Sequence, residues 1–174
     1  RVGNALCGWE YRSSASTCGW SEKRGDQALG RSQGGFSTKI HVRAEGQGKP
    51  ITFVLTRGER HELTAFEQLL AQGVVKRTGR GRPRKRPQRI VADKGYSFPS
   101  VRHFLRRRGI RYTIPHRSNQ TNTGPFDRET YRKRNRVERL INRLKQFRRI
   151  ATRYDKLASS YLAMLHLAAI LLWI

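Results

Sequence analysis

Tyr131 to Lys145, YRKRNRVERLINRLK, sets the frame for everything else in this chain. No Pro or Gly interrupts it, and Leu, Arg and Lys are good helix formers, so the spacing predicts one helix from Asp127 to Tyr154. On a wheel turning about 100° per residue its side chains separate onto three faces. Tyr131, Arg134, Glu138 and Lys145 fall within about 60° of one another as a polar stripe. Val137, Leu140, Ile141, Leu144 and Phe147 make an apolar face suited to a core, and Arg132, Arg136, Arg139 and Arg143 make a basic one. Taken alone, Glu138 reads as the helix ion-pair partner of Arg134 four residues earlier, contributing roughly 0.3 kcal/mol.

The spacing as a whole says more. Tyr131-x2-Arg134-x3-Glu138-x6-Lys145 resembles the Y-(2)-R-(3)-E-(6)-K signature of bacterial insertion-sequence DDE transposases, and four residue types at four fixed offsets rarely coincide by chance. The resemblance continues through GGFSTKIHVRAEGQGKPITFVLTRGERHE (34–62), VADKGYS (91–97) and RRIATRYDK (148–156) to the C-terminus. It covers Gln27 to Ile174 and looks like the insertion-sequence-five branch of that superfamily.

That resemblance implies an α/β fold of ribonuclease H-like type, a mixed sheet flanked by helices. It also implies Mg²⁺-dependent phosphodiester cleavage and strand transfer by the complete enzyme, with two Mg²⁺ ions (Mn²⁺ as a substitute) held by two Asp and one Glu. Such a metal pair stabilises both the attacking and the leaving oxygen of an in-line displacement. Asp93, at the end of the apolar run Ile90-Val91-Ala92, and Glu138 are the two metal-binding acids that can be named. On residue pattern alone Asp93 also reads as a turn or helix N-cap Asp. Tyr131, Arg134 and Lys145 would grip the DNA backbone, with Arg134 orienting Glu138 through its guanidinium fork.

The first Asp of the family belongs in a D-G-T or D-S-T context on the first strand, and nothing here matches it. Asp26 sits between Gly25 and Gln27 without an apolar strand around it, so the role does not carry over. Residues 1–26 show neither period 2 nor period 3.6. They are expected to be poorly structured, an out-of-frame leader of a two-frame element, which leaves the sheet without its first strand. Residues 27–174 are then the C-terminal part of a catalytic domain. Cys7 and Cys18 have no His between them and no second pair, which supports neither a zinc site nor a disulfide framework.

Charge narrows the partner. With 37 Lys and Arg against 12 Asp and Glu the net charge is +25, which a polyanion neutralises most readily. Double-stranded DNA, as element ends and target, is the expected partner, bound with a salt-sensitive affinity. The expected setting is the cytoplasm, with self-association or the upstream half of a frameshifted transposase as protein partners. Leu157 to Ile174 contains no Lys, Arg, Asp or Glu, but Ser159, Ser160 and His166 interrupt it, so it reads as a buried packing helix and not a membrane span.

Between these landmarks, Gly34 to Glu45 and Ile51 to Thr56 read as an antiparallel hairpin around the turn EGQGKP, with His41 given no catalytic role. Leu63, Phe66, Leu69 and Leu70 mark an amphipathic helix. Lys76, Arg77, Arg80, Arg82, Arg84, Lys85 and Arg86 crowd a Gly- and Pro-punctuated loop that reads as a DNA-phosphate arm. A basic helix from Ser100 to Arg108 and a strand from Ile110 to Pro115 follow. With one of three acids missing, the chain is expected not to cut DNA alone. The alternative is a non-catalytic basic DNA- or RNA-binding module or regulator of the full-length enzyme. A small ribosome-associated protein is a weaker third reading.

Overall fold

The computed structural model describes residues 4–14, 27–32, 35–75, 79–120 and 126–174, with the backbone alone for 4–14 and 32. Cys18, Asp26, Lys76 and Arg77 lie outside these residues. The strands are β1 (Asn4–Ser14), β2 (Gly30–Ser32), β3 (Gly35–Glu45), β4 (Pro50–Arg57), β5 (Arg89–Val91) and β6 (Arg111–Thr113). The helices are α1 (Leu63–Ala71), α2 (Pro99–Arg107), α3 (Arg128–Arg132), α4 (Asn135–Gln146), α5 (Arg148–Ala151) and α6 (Ala158–Trp173). A 3₁₀ turn, Lys94–Tyr96, joins β5 to α2.

The expected hairpin is present as β3 and β4, paired antiparallel from Thr38–Arg57 to Ala44–Pro50. Its turn is held by the Glu45 carboxylate, which accepts from the Gln47 and Lys49 amides at 2.7 and 3.1 Å. The other edge of β3 pairs antiparallel with β1, β1 pairs parallel with β5, and β5 pairs parallel with β6. β1 is therefore an inner strand of a mixed sheet, and β6 is left at its edge.

Strand alternation assigns the two faces. Val54, Ile90 and Ala92 face α1 and α2, where Phe66, Leu69, Val101 and Leu105 complete a buried cluster. Ile40, Val42, Phe53 and Val91 face the C-terminal helices, where Val137, Leu140, Leu144, Ile150, Tyr161 and Leu165 complete a second. The apolar face read from the sequence of α4 is thus the buried one, with Ile141 and Phe147 packed at its margin.

Three expectations need correction. Residues 4–14 are not poorly structured, and the sheet does not lack a strand at its centre: β1 fills the slot between β3 and β5. Both neighbours offer unpaired backbone edges, so hydrogen bonding can select a strand that carries no periodic signal. Second, Asp127 to Tyr154 is not one helix. Lys133, Arg134, Arg136 and Val137 donate to carbonyls three residues back, a tighter 3₁₀ winding that separates α3 from α4. Phe147 leaves helical geometry at ψ 107°, which turns α5 back so that Ile150 is buried. Third, α6 is only half a packing helix. Tyr161, Leu165, Ala168 and Ala169 are buried, while Leu167, Ile170, Leu171 and Trp173 stay exposed and His166 meets Phe53 edge-on at the surface. Among the described residues no helix is long and apolar enough to cross a membrane.

Two buried arginines tie loops to this frame, and no periodicity points to them. Arg43 donates to the carbonyls of Leu70 and Gln72 at the end of α1 and to Lys85 O in the basic loop, each at 3.1 Å. Arg153 donates to the carbonyls of Asp155 and Lys156 and to the Thr38 hydroxyl, and lies over the Tyr161 ring.

Candidate active site and nucleic-acid interface

Asp93 leaves the end of β5 in extended geometry, φ −84° and ψ −177°. Ladder bonding runs one residue past the strand, Ala92 N–H to Thr113 O, and this holds the backbone straight up to the acid. Its carboxylate is buried and accepts the Gly95 amide at 2.9 Å, capping the 3₁₀ turn. The capping reading of Asp93 is therefore correct as geometry, and it also fixes the carboxylate. Gly95 fits closely, since a Cβ there would stand 3.0 Å from Asp93 Oδ1 and 3.3 Å from Glu62 Cγ.

Glu138 projects from the first turn of α4, half exposed, and its Oε1 accepts from Arg134 Nη2 at 2.5 Å. The same guanidinium lies 5.5 Å from the centre of the Tyr131 ring. Tyr131 joins the two acids. Burial pushes its hydroxyl pKa up, the carboxylates of Asp93 and Glu138 push the same way, and Arg134 opposes them. Tyr131, at the α3–α4 junction, thus feels the charges of Arg134, Asp93 and Glu138. Lys145 is exposed in the last turn of α4, two turns from Glu138, or about 10 Å along the axis. Arg80, Arg82, Arg84, Lys85 and Arg86 are exposed on the loop before β5, whose base is closed by mutual backbone bonds between Val75 and Arg84 of 2.8 and 3.0 Å.

The register of β1 shows which of its residues neighbours Asp93. Leu6 pairs with Val91, so Gly8 and Asp93 stand equally far along neighbouring parallel strands. Gly8 also pairs with Val42, whose side chain faces the α4 layer, and cross-strand partners share a face. A glycine thus occupies the place on the inner strand that lies beside Asp93 and below α4. Just beyond it the pairing shifts between Gly8 and Tyr11, a β-bulge. Among the described residues no three His, Cys, Asp or Glu side chains come together as a metal site. Glu62 comes near the Asp93 turn, but Lys39 Nζ holds it at 3.0 Å and His61 lies 3.3 Å away. Burial tends to raise the Glu62 carboxyl pKa; its backbone bond, Lys39 and His61 outweigh this and lower it.

A match to the Transposase DDE domain family runs over residues 13–173. The chain belongs to this family. A protein of Brucella ovis named as a transposase for insertion sequence element IS6501 is 26% identical over 141 residues, 80% of this chain and 99% of that one. A protein of Burkholderia cepacia named as a transposase for insertion sequence element IS402 is 30% identical over 135 residues, 78% of this chain and 62% of its own length.

Behind the acids of this transposase domain lies a buried polar group. His41, wholly buried on β3, bonds Tyr96 Oη through Nδ1 at 3.1 Å and Thr56 Oγ1 through Nε2 at 2.9 Å. Tyr96 ends the 3₁₀ turn that Asp93 caps, so His41 braces that turn from the opposite face of the sheet. Reading His41 from the sequence as an ordinary strand residue missed this, because its partner is 55 residues away. Burial, with Lys39 nearby, lowers its pKa from 6.5 to about 4. The unfolded chain takes up this proton near pH 6.5 and the folded one only near 4, so the stability is complete above 6.5 and is lost as pH falls towards 4. At 1.36 kcal/mol per pH unit the loss is about 3 kcal/mol. Urea unfolding of His41→Gln should therefore show a flatter stability profile than wild type between pH 6.5 and 4; parallel profiles would contradict this assignment.

Proposed function

We propose that this chain is the catalytic-domain portion of an insertion-sequence transposase of ribonuclease H-like architecture, acting on DNA in the cytoplasm. The reading is carried by the family match over residues 13–173, with Asp93 at the end of β5 and the charges of both Asp93 and Glu138 acting on Tyr131. The sheet supports it: an antiparallel β4-β3-β1 half joined through β1 to a parallel β5-β6 half presents the end of β5 to a C-terminal helix. In the complete enzyme Asp93 and Glu138 would bind Mg²⁺, or Mn²⁺ in its place. Mg²⁺ takes oxygen ligands and uses carboxylates together with substrate phosphates. Tyr131, Arg134 and Lys145, with the basic loop, would hold the phosphate backbone of element ends and target.

Among the described residues the donors fall short of a paired-ion site, and Gly8 offers no oxygen where a third carboxylate would stand. The chain alone is therefore expected to bind DNA without cutting it, and the first acid would come from a fused or associated N-terminal segment. Purified chain incubated with supercoiled DNA and Mg²⁺ tests this. Robust nicking that disappears in Asp93→Ala would show that the missing acid is supplied elsewhere in the chain.

The same gap favours a second reading, a non-catalytic DNA-binding regulator of a full-length transposase. Glu138→Gln bears on both, since it removes a negative charge and releases Arg134 for phosphate. Its DNA affinity without metal should rise, by up to about tenfold at low salt. Adding Mg²⁺ should tighten the wild-type complex and leave Glu138→Gln unchanged if Glu138 is a metal ligand. A wild-type chain indifferent to Mg²⁺ would favour the regulator.

A further inference from the structure

A second basic feature lies at the outer edge of the sheet, around β6. A cavity of about 410 Å³ runs along β6, the edge strand. This falls within the roughly 300–1,000 Å³ of small-ligand sites. Its wall includes four guanidinium groups, Arg102 and Arg106 from α2 and Arg89 and Arg111 from β5 and β6, with the rings of Tyr112 and Phe126.

Internal pairing uses only part of this charge. Among the described residues Asp127 is the one carboxylate of the lining, and Arg89 takes it at 2.8 Å. Asp127 is also committed to the Thr130 hydroxyl and amide at the start of α3; these bonds and Arg89 lower its pKa to about 2. Arg102 is half-buried, donating to Ser97 Oγ at 3.1 Å and Ile114 O at 3.0 Å. Arg106 and Arg111 are exposed. Arg111 stands directly across the ladder from Arg89, and like charges abreast on a sheet repel. An anion seated between Arg111 and Arg106 would relieve that repulsion. The Tyr112 ring, 6.0 Å from the Arg106 guanidinium, gives an aromatic surface beside the charge. Phe126 lies 5.2 Å from Tyr131, so the far wall of the cavity is continuous with the neighbourhood of the two acids.

We infer that this cavity holds one sugar-phosphate unit of a DNA strand leading away from Asp93 and Glu138, its phosphate on Arg106 and Arg111 and its sugar and base against Tyr112 and Phe126. The inference rests on the DNA-binding reading above and adds a second contact region to it. Guanidinium groups beside aromatic rings are the chemistry that takes a nucleotide with little sequence preference.

The test is metal-free fluorescence anisotropy on a short labelled duplex across a salt series, with wild-type chain, Arg106→Ala/Arg111→Ala and the loop variant Arg82→Ala/Arg84→Ala. All four positions are exposed, and circular dichroism checks that each variant folds. Each double variant should reduce the slope of log K against log salt by about 2 and weaken binding at least about tenfold at low salt. If the loop variant loses slope while the cavity variant keeps it, the inference is overturned and DNA binding stands. No wild-type affinity would remove the DNA-binding reading together with the inference; wild-type slopes in both variants would overturn the inference and the loop assignment while DNA binding stands. Titration with deoxyadenosine monophosphate separates the sources of a nucleotide. Saturable binding lost in Arg106→Ala/Arg111→Ala, with the duplex slope unchanged, would make this a free-nucleotide site and overturn the assignment to a strand.

Discussion

Gly8→Asp is expected to raise Mg²⁺-dependent nicking of supercoiled DNA from background to about a hundredfold above it, an effect of about 3 kcal/mol on the barrier. Gly8 and Asp93 stand two residues beyond the paired Leu6 and Val91 on adjacent parallel strands, and the pairing of Gly8 with Val42 puts position 8 on the α4 side of the sheet. α4 itself lies against β1. A carboxylate there would join Asp93 and Glu138 and add the third anionic group that two Mg²⁺ ions need for charge balance. An Asp on an inner strand also carries a desolvation cost, so circular dichroism should confirm that Gly8→Asp folds. Two companions make the result interpretable. Gly8→Asn has nearly the same shape without the charge and should stay at background, and Gly8→Asp/Asp93→Ala should return to it. Equal activity in Gly8→Asp and Gly8→Asn would mean that position 8 is not where the acid belongs.

Truncation after Leu157 is expected to abolish the soluble folded domain. Tyr161 and Leu165 of α6 are fully buried against the sheet. At about 1.5–3 kcal/mol each, those two side chains alone carry about 3–6 kcal/mol of the 5–15 kcal/mol typical of a whole domain. The loss is larger than their own burial, because the Tyr161 hydroxyl donates to Ile150 O at 2.8 Å and its ring covers the buried Arg153. Removing α6 would also open the apolar Ile40–Val42–Phe53 surface to water. The expected readout is recovery of residues 1–157 in the insoluble fraction. Tyr161→Phe, which keeps the ring and drops the hydroxyl bond, should stay soluble and lose about 1 kcal/mol in urea unfolding. A truncated chain that unfolds cooperatively at wild-type urea concentration would refute the role given to α6.

Legibility divided along physical lines. Elements whose signal is local appeared where the periodicity put them: the β3–β4 hairpin, the buried face of α4, and α1 with Phe66, Leu69 and Leu70 inward. The family was also legible, because a signature at fixed offsets needs no knowledge of the fold. What stayed hidden depends on partners distant in sequence. His41 looks like any strand histidine until Tyr96 and Thr56 meet it. Arg43 and Arg153 look like two more surface cations in a chain of +25, yet both are buried by backbone carbonyls that only the folded chain assembles.

The amino-acid order by itself determined the α/β class, the transposase family, the net charge of +25 and the absence of the family's first-strand Asp motif. The tertiary structure decided that the N-terminal residues nonetheless supply an inner strand, since a slot with open hydrogen-bonding edges on both sides selects backbone and not side-chain pattern. It decided that the long C-terminal helix winds in three pieces, because burying Ile150 requires a reversal at Phe147. It also decided that a glycine stands beside Asp93, a fact of strand register that no reading along a single strand contains.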